Sequence, residues 1–275
     1  MRPREQAIEK GAFELPRYRN PPVVEVVLSV AFEPIQGLRI IQLGDLWREH
    51  FSYLTEVEEK PPIEMPVERF DVTGGPTLSF KMMPDVPLPR LWFQNDIRTQ
   101  LVQVQNNFLA RNWRKSEGSA DYPRYPALRE LFALDMGRLN EFLGKKRLGE
   151  FVPTQCEITY INHVSRSKVD DLLAFVGDLG TSSFPDADAA NITTQFLMRE
   201  GGDPLGRLHL QATTARSKAT GEPLVVLTIT ARGRPMGGGT DGVLAFLDLG
   251  RKWARTAFDS VTRPEMQQAW GKENA

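Results

Sequence analysis

Two stretches of this sequence, each opening on a proline and each closing on a long amphipathic helix, restrict the fold more than any other feature. The first begins with Pro21-Pro22 and continues as Val23-Val24-Glu25-Val26-Val27-Leu28-Ser29-Val30-Ala31-Phe32. A β-branched run behind two prolines that cannot extend a ladder backwards reads as one long strand. Pro34 and Gly37 close it, and Ile40, Ile41, Leu43, Leu46, Trp47, Phe51 and Leu54 then recur at helical spacing, with Arg48 and Glu49 outside the stripe. After Pro61-Pro62 the pattern predicts short antiparallel strands around 63–72, 77–83, 90–95 and 100–113, separated by Gly74-Gly75-Pro76, by Pro84, Pro87 and Pro89, and by Asn95-Asp96. Leu128, Leu131, Phe132, Met136, Leu139, Phe142 and Leu143 form the stripe of a second helix, introduced by Pro123 and Pro126 and ending at Gly144 and Lys145-Lys146-Arg147.

The second stretch follows the same order. Pro153-Thr154-Gln155-Cys156-Glu157-Ile158-Thr159-Tyr160 can be laid on Pro21 to Leu28, matching the proline, the glutamate four residues on and the β-branched residue after it. A short helical segment from Val169 to Val176 comes next, then strands near 190–199, 206–216 and 223–231, then a long helix from about Asp241 to Phe258. The chain therefore reads as α+β: an N-terminal extension over 1–20, two tandem units over 21–147 and 148–260, and a C-terminal helix and tail over 261–275. In that last part Thr262-Arg263-Pro264-Glu265 fits a capping box with Thr262 as N-cap, followed by a helix whose Trp270 docks on the body of the protein. Strand alternation selects Val225, Leu227 and Ile229 as a core face. Read as one strand, Leu101 to Trp113 places Val102, Val104, Phe108 and Ala110 inward, and Gln103, Gln105, Asn107, Arg111 and Trp113 outward.

Tyr18-Arg19-Asn20-Pro21-Pro22-Val23-Val24-Glu25, the run Leu101-Val102-Gln103-Val104-Gln105 leading to Asn112-Trp113-Arg114-Lys115, and the ending from Phe258 to Trp270 resemble a sporadically distributed bacterial and archaeal family with no assigned activity. The resemblance covers nearly the whole chain and carries over no functional residues. The element order also resembles two successive helix-grip units, as in TATA-binding-protein-like and plant-allergen-like folds, in which an antiparallel sheet wraps a long helix.

With 34 basic and 35 acidic residues among 275, the chain lacks the cationic excess of a general nucleic-acid coat. Its charge is nevertheless uneven. Residues 45–71 carry eight acidic against three basic side chains, and residues 199–234 six basic against three acidic. His50, His163 and His209 fall in different elements and Cys156 stands alone, so no metal set is expected. No nucleophile or phosphate-loop motif occurs, and Cys156 reads as a small buried hydrophobe. Met236-Gly237-Gly238-Gly239 reads as a flexible connection ending in a Thr240 or Asp241 cap, with anion binding at the helix start as the alternative. A single cysteine, no apolar run of bilayer length and no apolar stretch behind the N-terminus lead to the expectation of a cytoplasmic protein, not a membrane one.

No catalytic residues and no cofactor are predicted. The outward set Gln103, Gln105, Arg111, Trp113, Arg114 and Lys115 is the candidate binding surface, because an aromatic among guanidinium groups stacks on bases or grips acidic partners. Glu157, Asn162 and His163 form a secondary polar candidate. The leading expectation is a non-enzymatic module that binds a protein partner on its sheet faces or in the groove between repeats. A small-molecule-binding or hydrolase-like protein with a pocket under the long helix is the alternative, and a nucleic-acid binder the third.

Overall fold

The computed structural model describes residues 17–64, 66–70, 88–116, 122–165, 189–200 and 202–273. It is α+β, with a large antiparallel sheet. The strands of that sheet are β2 (Val23–Phe32), β3 (Glu56–Lys60), β4 (Arg90–Gln94), β5 (Gln100–Gln105), β6 (Phe108–Arg114), β7 (Pro153–Ser165), β8 (Asn191–Glu200), β9 (Asp203–Arg216) and β10 (Pro223–Gly233). They are ordered β3-β4-β5-β6-β2-β7-β10-β9-β8. Two short strands, β1 (Arg17–Tyr18) and β11 (Lys272–Glu273), pair separately. The described helices are α1 (Ile40–Leu46), continued by a π turn over Trp47–Phe51, then α2 (Arg124–Lys146), α3 (Gly239–Val261) and α4 (Pro264–Ala269). None is long and apolar enough to cross a membrane.

The strand order has an internal regularity. After β2 the chain makes the meander β3-β4-β5-β6, whose last strand lies beside β2; after β7 it makes β8-β9-β10, whose last strand lies beside β7. The expected strand at 77–83 and helix at 169–176 lie outside the described residues. Of the strand expected over 63–72, residues 63, 64 and 66–70 are described, and they lie outside every strand.

Contacts divide the chain into two compact units. One comprises 27–157 and 233–247, the other 1–26, 158–232 and 248–275.

In the first unit, α2 lies against β6, on a face of the strands β4 to β6 that is buried. The pairing Phe93↔Val102↔Arg111 and Leu91↔Val104↔Leu109 puts these six side chains on that face, and all are buried. From the helix, Tyr125, Leu128, Phe132, Asp135, Met136, Leu139, Phe142 and Leu143 are buried. The helix runs through Gly144 and stops at Arg147, which adopts the left-handed conformation with φ 54°. The expected apolar stripe of α1 holds except at Ile41, which is 72% exposed. The π turn after α1 presents Glu49 to Lys145 and Lys146 of α2, each at 2.8 Å.

That exposed contact makes a pH prediction. The two ammonium groups hold the Glu49 carboxyl down at about 2, against an ordinary 4.5. A depressed carboxyl contributes stability that is present above its unfolded value and lost as pH falls through the folded one. Glu49→Gln is therefore expected to lower the neutral melting temperature slightly and to flatten the loss of thermal stability between pH 4.5 and pH 2, so that the two proteins melt alike at the acid end. Melts across that range check it.

In the second unit, Val225, Leu227 and Ile229 of β10 are buried as the alternation predicts, together with Leu208 and Leu210 of β9 and Trp253, Ala257 and Phe258 of α3. Its C-terminal tail is latched. Trp270 meets the rings of Phe258 and Tyr18 at centroid distances of 5.4 and 6.3 Å. The Tyr18 hydroxyl donates to Asp259 at 2.7 Å, and Lys272 donates to Asp259 and to Gln267. Trp270 thus docks as expected, but the cap differs: α4 starts from Arg263, which makes no side-chain cap bond. Thr262 is occupied in finishing α3, its backbone N–H and its hydroxyl both donating to the Phe258 carbonyl.

Candidate binding face

The expected surface is divided by a turn. β5 and β6 form a hairpin around Asn106-Asn107 with the register Gln105↔Phe108, Gln103↔Ala110 and Val102↔Arg111. Residues opposite each other across a ladder point to the same face. A two-residue loop therefore shifts the odd–even rule by one position, and reading 101–113 as a continuous strand puts Arg111 and Trp113 on the wrong side. They lie with Val102 and Val104 on the helix-covered face, only 2% and 6% exposed. Phe108 and Ala110, expected beside Val102, lie on the opposite face with Gln103 and Gln105 and are buried there.

Arg111 is a buried structural ion. Its Nε and Nη2 reach the two carboxylate oxygens of Asp135 on α2, Nη2 also donates to the Tyr53 hydroxyl at 3.0 Å, and Arg138 adds a third donor to Asp135 at 3.2 Å. Burial pulls the Arg111 pKa down, but the adjoining Asp135 carboxylate outweighs it and raises it, so the guanidinium stays charged. Trp113 packs at a tilt against Tyr122, with ring centroids 5.1 Å apart and the planes at 48°.

The opposite face gathers a different set. Cross-strand rows place Glu58 beside Trp92 and Trp92 beside Gln103, with Lys60 beside Arg90 in the next row. Three cations surround the half-buried Trp92 indole: Lys60 Nζ lies 4.8 Å from the ring centroid, the Arg114 guanidinium carbon 4.9 Å and that of Arg90 5.5 Å. An amide chain lies beneath them. Arg90 Nη1 donates to Gln103 Oε1 at 2.9 Å, and Gln103 Nε2 donates to Asn112 Oδ1 at 2.7 Å. Glu58 accepts from Lys60 at 2.5 Å and from Gln94 at 2.9 Å, and the Lys60 ammonium holds its carboxyl below the usual range. Burial, with the neighbouring Arg114 charge added, holds Arg90 below its ordinary pKa. Two buried donors on this face, Arg90 Nε and Trp92 Nε1, have no hydrogen-bond acceptor among the described residues.

An extended segment crosses the same side. Gln105 accepts from the Ile63 N–H at 3.0 Å and donates to the Ile63 carbonyl, while Gln155 of β7 accepts from the Glu68 N–H and donates to the Pro66 carbonyl, both at 2.9 Å. Each glutamine amide thus grips main chain through one donor and one acceptor, as a neighbouring strand would. This role, and not ligand contact, accounts for Gln105.

Of the six side chains expected to form the surface, Gln103 and Arg114 belong to the face around Trp92, Gln105 holds the crossing segment, Arg111 and Trp113 lie under α2, and Lys115 is exposed beyond the end of β6. Glu157, Asn162 and His163 do not form a cluster. Glu157 and His163 stand about 20 Å apart along β7, and Asn162 points to the other face, where its buried amide donates to the Leu227 carbonyl at 3.1 Å. Cys156 is buried in β7, which pushes its thiol pKa far up and leaves it inert. The glycine loop before α3 has a structural reason: Gly237 and Gly239 have φ of 111° and 58°, and a Cβ on Gly242 would lie 2.2 Å from the Gly237 carbonyl. The helix begins at Gly239, so Thr240 and Asp241 sit in its first turn and do not cap it. Among the described residues no group of three or more His, Cys, Asp or Glu is placed to hold a metal ion.

Trp92, Arg90 and Lys60 were missing from the expected surface, although Arg90-Leu91-Trp92-Phe93-Gln94 alternates and so separates Leu91 and Phe93 from the other three. No family model, no curated protein sequence and no solved structure matches the chain.

Proposed function

We propose that this protein is a non-catalytic recognition module that binds an acidic segment of a protein partner on the face of β3 to β6 around Trp92. The observation that carries this reading is the indole with Lys60, Arg90 and Arg114 all within 5.5 Å of its centre. Burial and the nearby Arg114 charge hold the Arg90 pKa down, Lys60 is already paired with Glu58, and a partner's carboxylates add acceptors for the two guanidinium groups while the half-buried ring supplies apolar contact. The space on the other side of the sheet supports a partner over a small molecule under the helix, since Phe93, Val102, Val104, Leu109, Phe132 and Met136 fill it at 0% exposure.

Trp92→Ala is expected to weaken binding of a fluorescently labelled glutamate-rich peptide by about 1–2 kcal/mol or more, measured by anisotropy at a temperature where circular dichroism shows the variant still folded. Added salt should reduce affinity modestly. A single-stranded oligonucleotide bound more tightly than the peptide, with a steep salt dependence, would overturn the protein-partner reading in favour of nucleic acid.

The fold carries a related proposal, that residues 21–147 and 148–260 are duplicated helix-grip-like units. It is supported by the shared connectivity in which a first strand is joined on its flank by the last strand of the following meander, and by the long helix that closes each half. The lone buried thiol of Cys156 supports a cytoplasmic setting.

A further inference from the structure

We infer that Arg90 Nε and Trp92 Nε1 are a donor pair that holds one oxyanion, a carboxylate or a phosphate presented on a peptide; this rests on the recognition reading above and specifies its point of contact. Both nitrogens are buried and neither has an acceptor among the described residues, although each residue is only partly buried as a whole. An unmade hydrogen bond at a buried donor costs free energy, more so for a charged group. Two such donors on adjacent rows of one sheet face are a position where an acceptor is missing. Other acceptors nearby are already engaged: Gln103 Oε1 takes Arg90 Nη1, Asn112 Oδ1 takes Gln103, and Glu58 takes Lys60 and Gln94. Arg114, within 5 Å of the Trp92 centroid, adds its charge to that of Arg90, while Lys60 is paired with Glu58. The acceptor that suits this position is therefore anionic, and Arg90 contributes its Nε because Nη1 is committed to Gln103.

The experiment uses the full chain labelled with nitrogen-15, with the Trp92 indole resonance assigned by its loss in Trp92→Phe. Four probes are titrated: acetate, inorganic phosphate, a glutamate-rich peptide and a phosphoserine peptide, with sodium chloride as the ionic-strength control. The expected result is a saturable shift of the Trp92 indole N–H with at least one anion, while the indoles of Trp47, Trp113, Trp253 and Trp270 stay in place. Arg90→Lys keeps the charge but removes Nε and should weaken that anion roughly ten- to hundredfold. The acetate and glutamate arms against the phosphate and phosphoserine arms decide which oxyanion the site takes. A shift that grows linearly and equally with chloride, or full affinity in Arg90→Lys, overturns the inference. The two proposals fail separately. A peptide that binds by anisotropy without moving the Trp92 resonance removes the oxyanion site and leaves the face; free anions that move it while neither peptide binds leave the site and remove the partner.

Discussion

Asp135→Ala is expected to destabilise the protein by about 3–5 kcal/mol. Asp135 and Arg111 are 0% and 1% exposed at their side chains, so removing the carboxylate leaves a guanidinium in the interior with the Tyr53 hydroxyl and a 3.5 Å contact to Gln100 as its remaining acceptors. The penalty is the desolvation of an uncompensated charge, not the worth of the ion pair, because the pair itself offsets desolvation with attraction. The pair should therefore be replaceable as a unit. Arg111→Met combined with Asp135→Leu is expected to recover most of the loss, since no unpaired charge remains and α2 keeps an apolar contact with β6. Urea unfolding of the two single variants and the double variant gives the coupling directly. A loss below about 1 kcal/mol for Asp135→Ala would mean that water reaches Arg111, as at a surface pair.

Why the pair was not legible beforehand is instructive about which signals a sequence carries. The stripe of α2 was readable from Leu128, Phe132, Met136, Leu139 and Phe142, and Asp135 stands three residues after Phe132 and four before Leu139, inside that stripe. An acidic residue in an apolar stripe requires a buried cation. Nothing in the spacing says that the cation is Arg111, 24 residues earlier and in a strand. Alternation carried straight through Asn106-Asn107 puts Arg111 in solvent, and the turn there reverses it. One two-residue loop thus moved two of the six expected surface residues to the opposite face. In β10, which has no internal turn, the alternation holds: Val225, Leu227 and Ile229 are all buried. The alternation in Arg90 to Gln94 was equally clear, and it holds the residues on which the binding face now centres. What alternation does not convey is reach. Arg114 extends across β5 to lie over Trp92, two strands away, and only the folded sheet brings those side chains together.

Phe132→Ala is expected to cost about 3–5 kcal/mol as well, from lost transfer energy and the cavity it leaves. Its ring is 0% exposed on the side of α2 that meets the sheet. Two residues on, Leu134 lies about 200° around the helix axis and is 55% exposed. Leu134→Ala should accordingly change stability by no more than about 0.5 kcal/mol. The contrast matters more than either value, because both substitutions lie in the same stretch of helix and share nearly the same propensity change. Urea midpoints with equal slopes for the two variants measure it. If Leu134→Ala cost as much as Phe132→Ala, the outward side of α2 would have to be covered in the folded protein. Leu134 would then belong to an interface instead of to solvent, and the sheet-facing stripe would no longer account for the helix by itself.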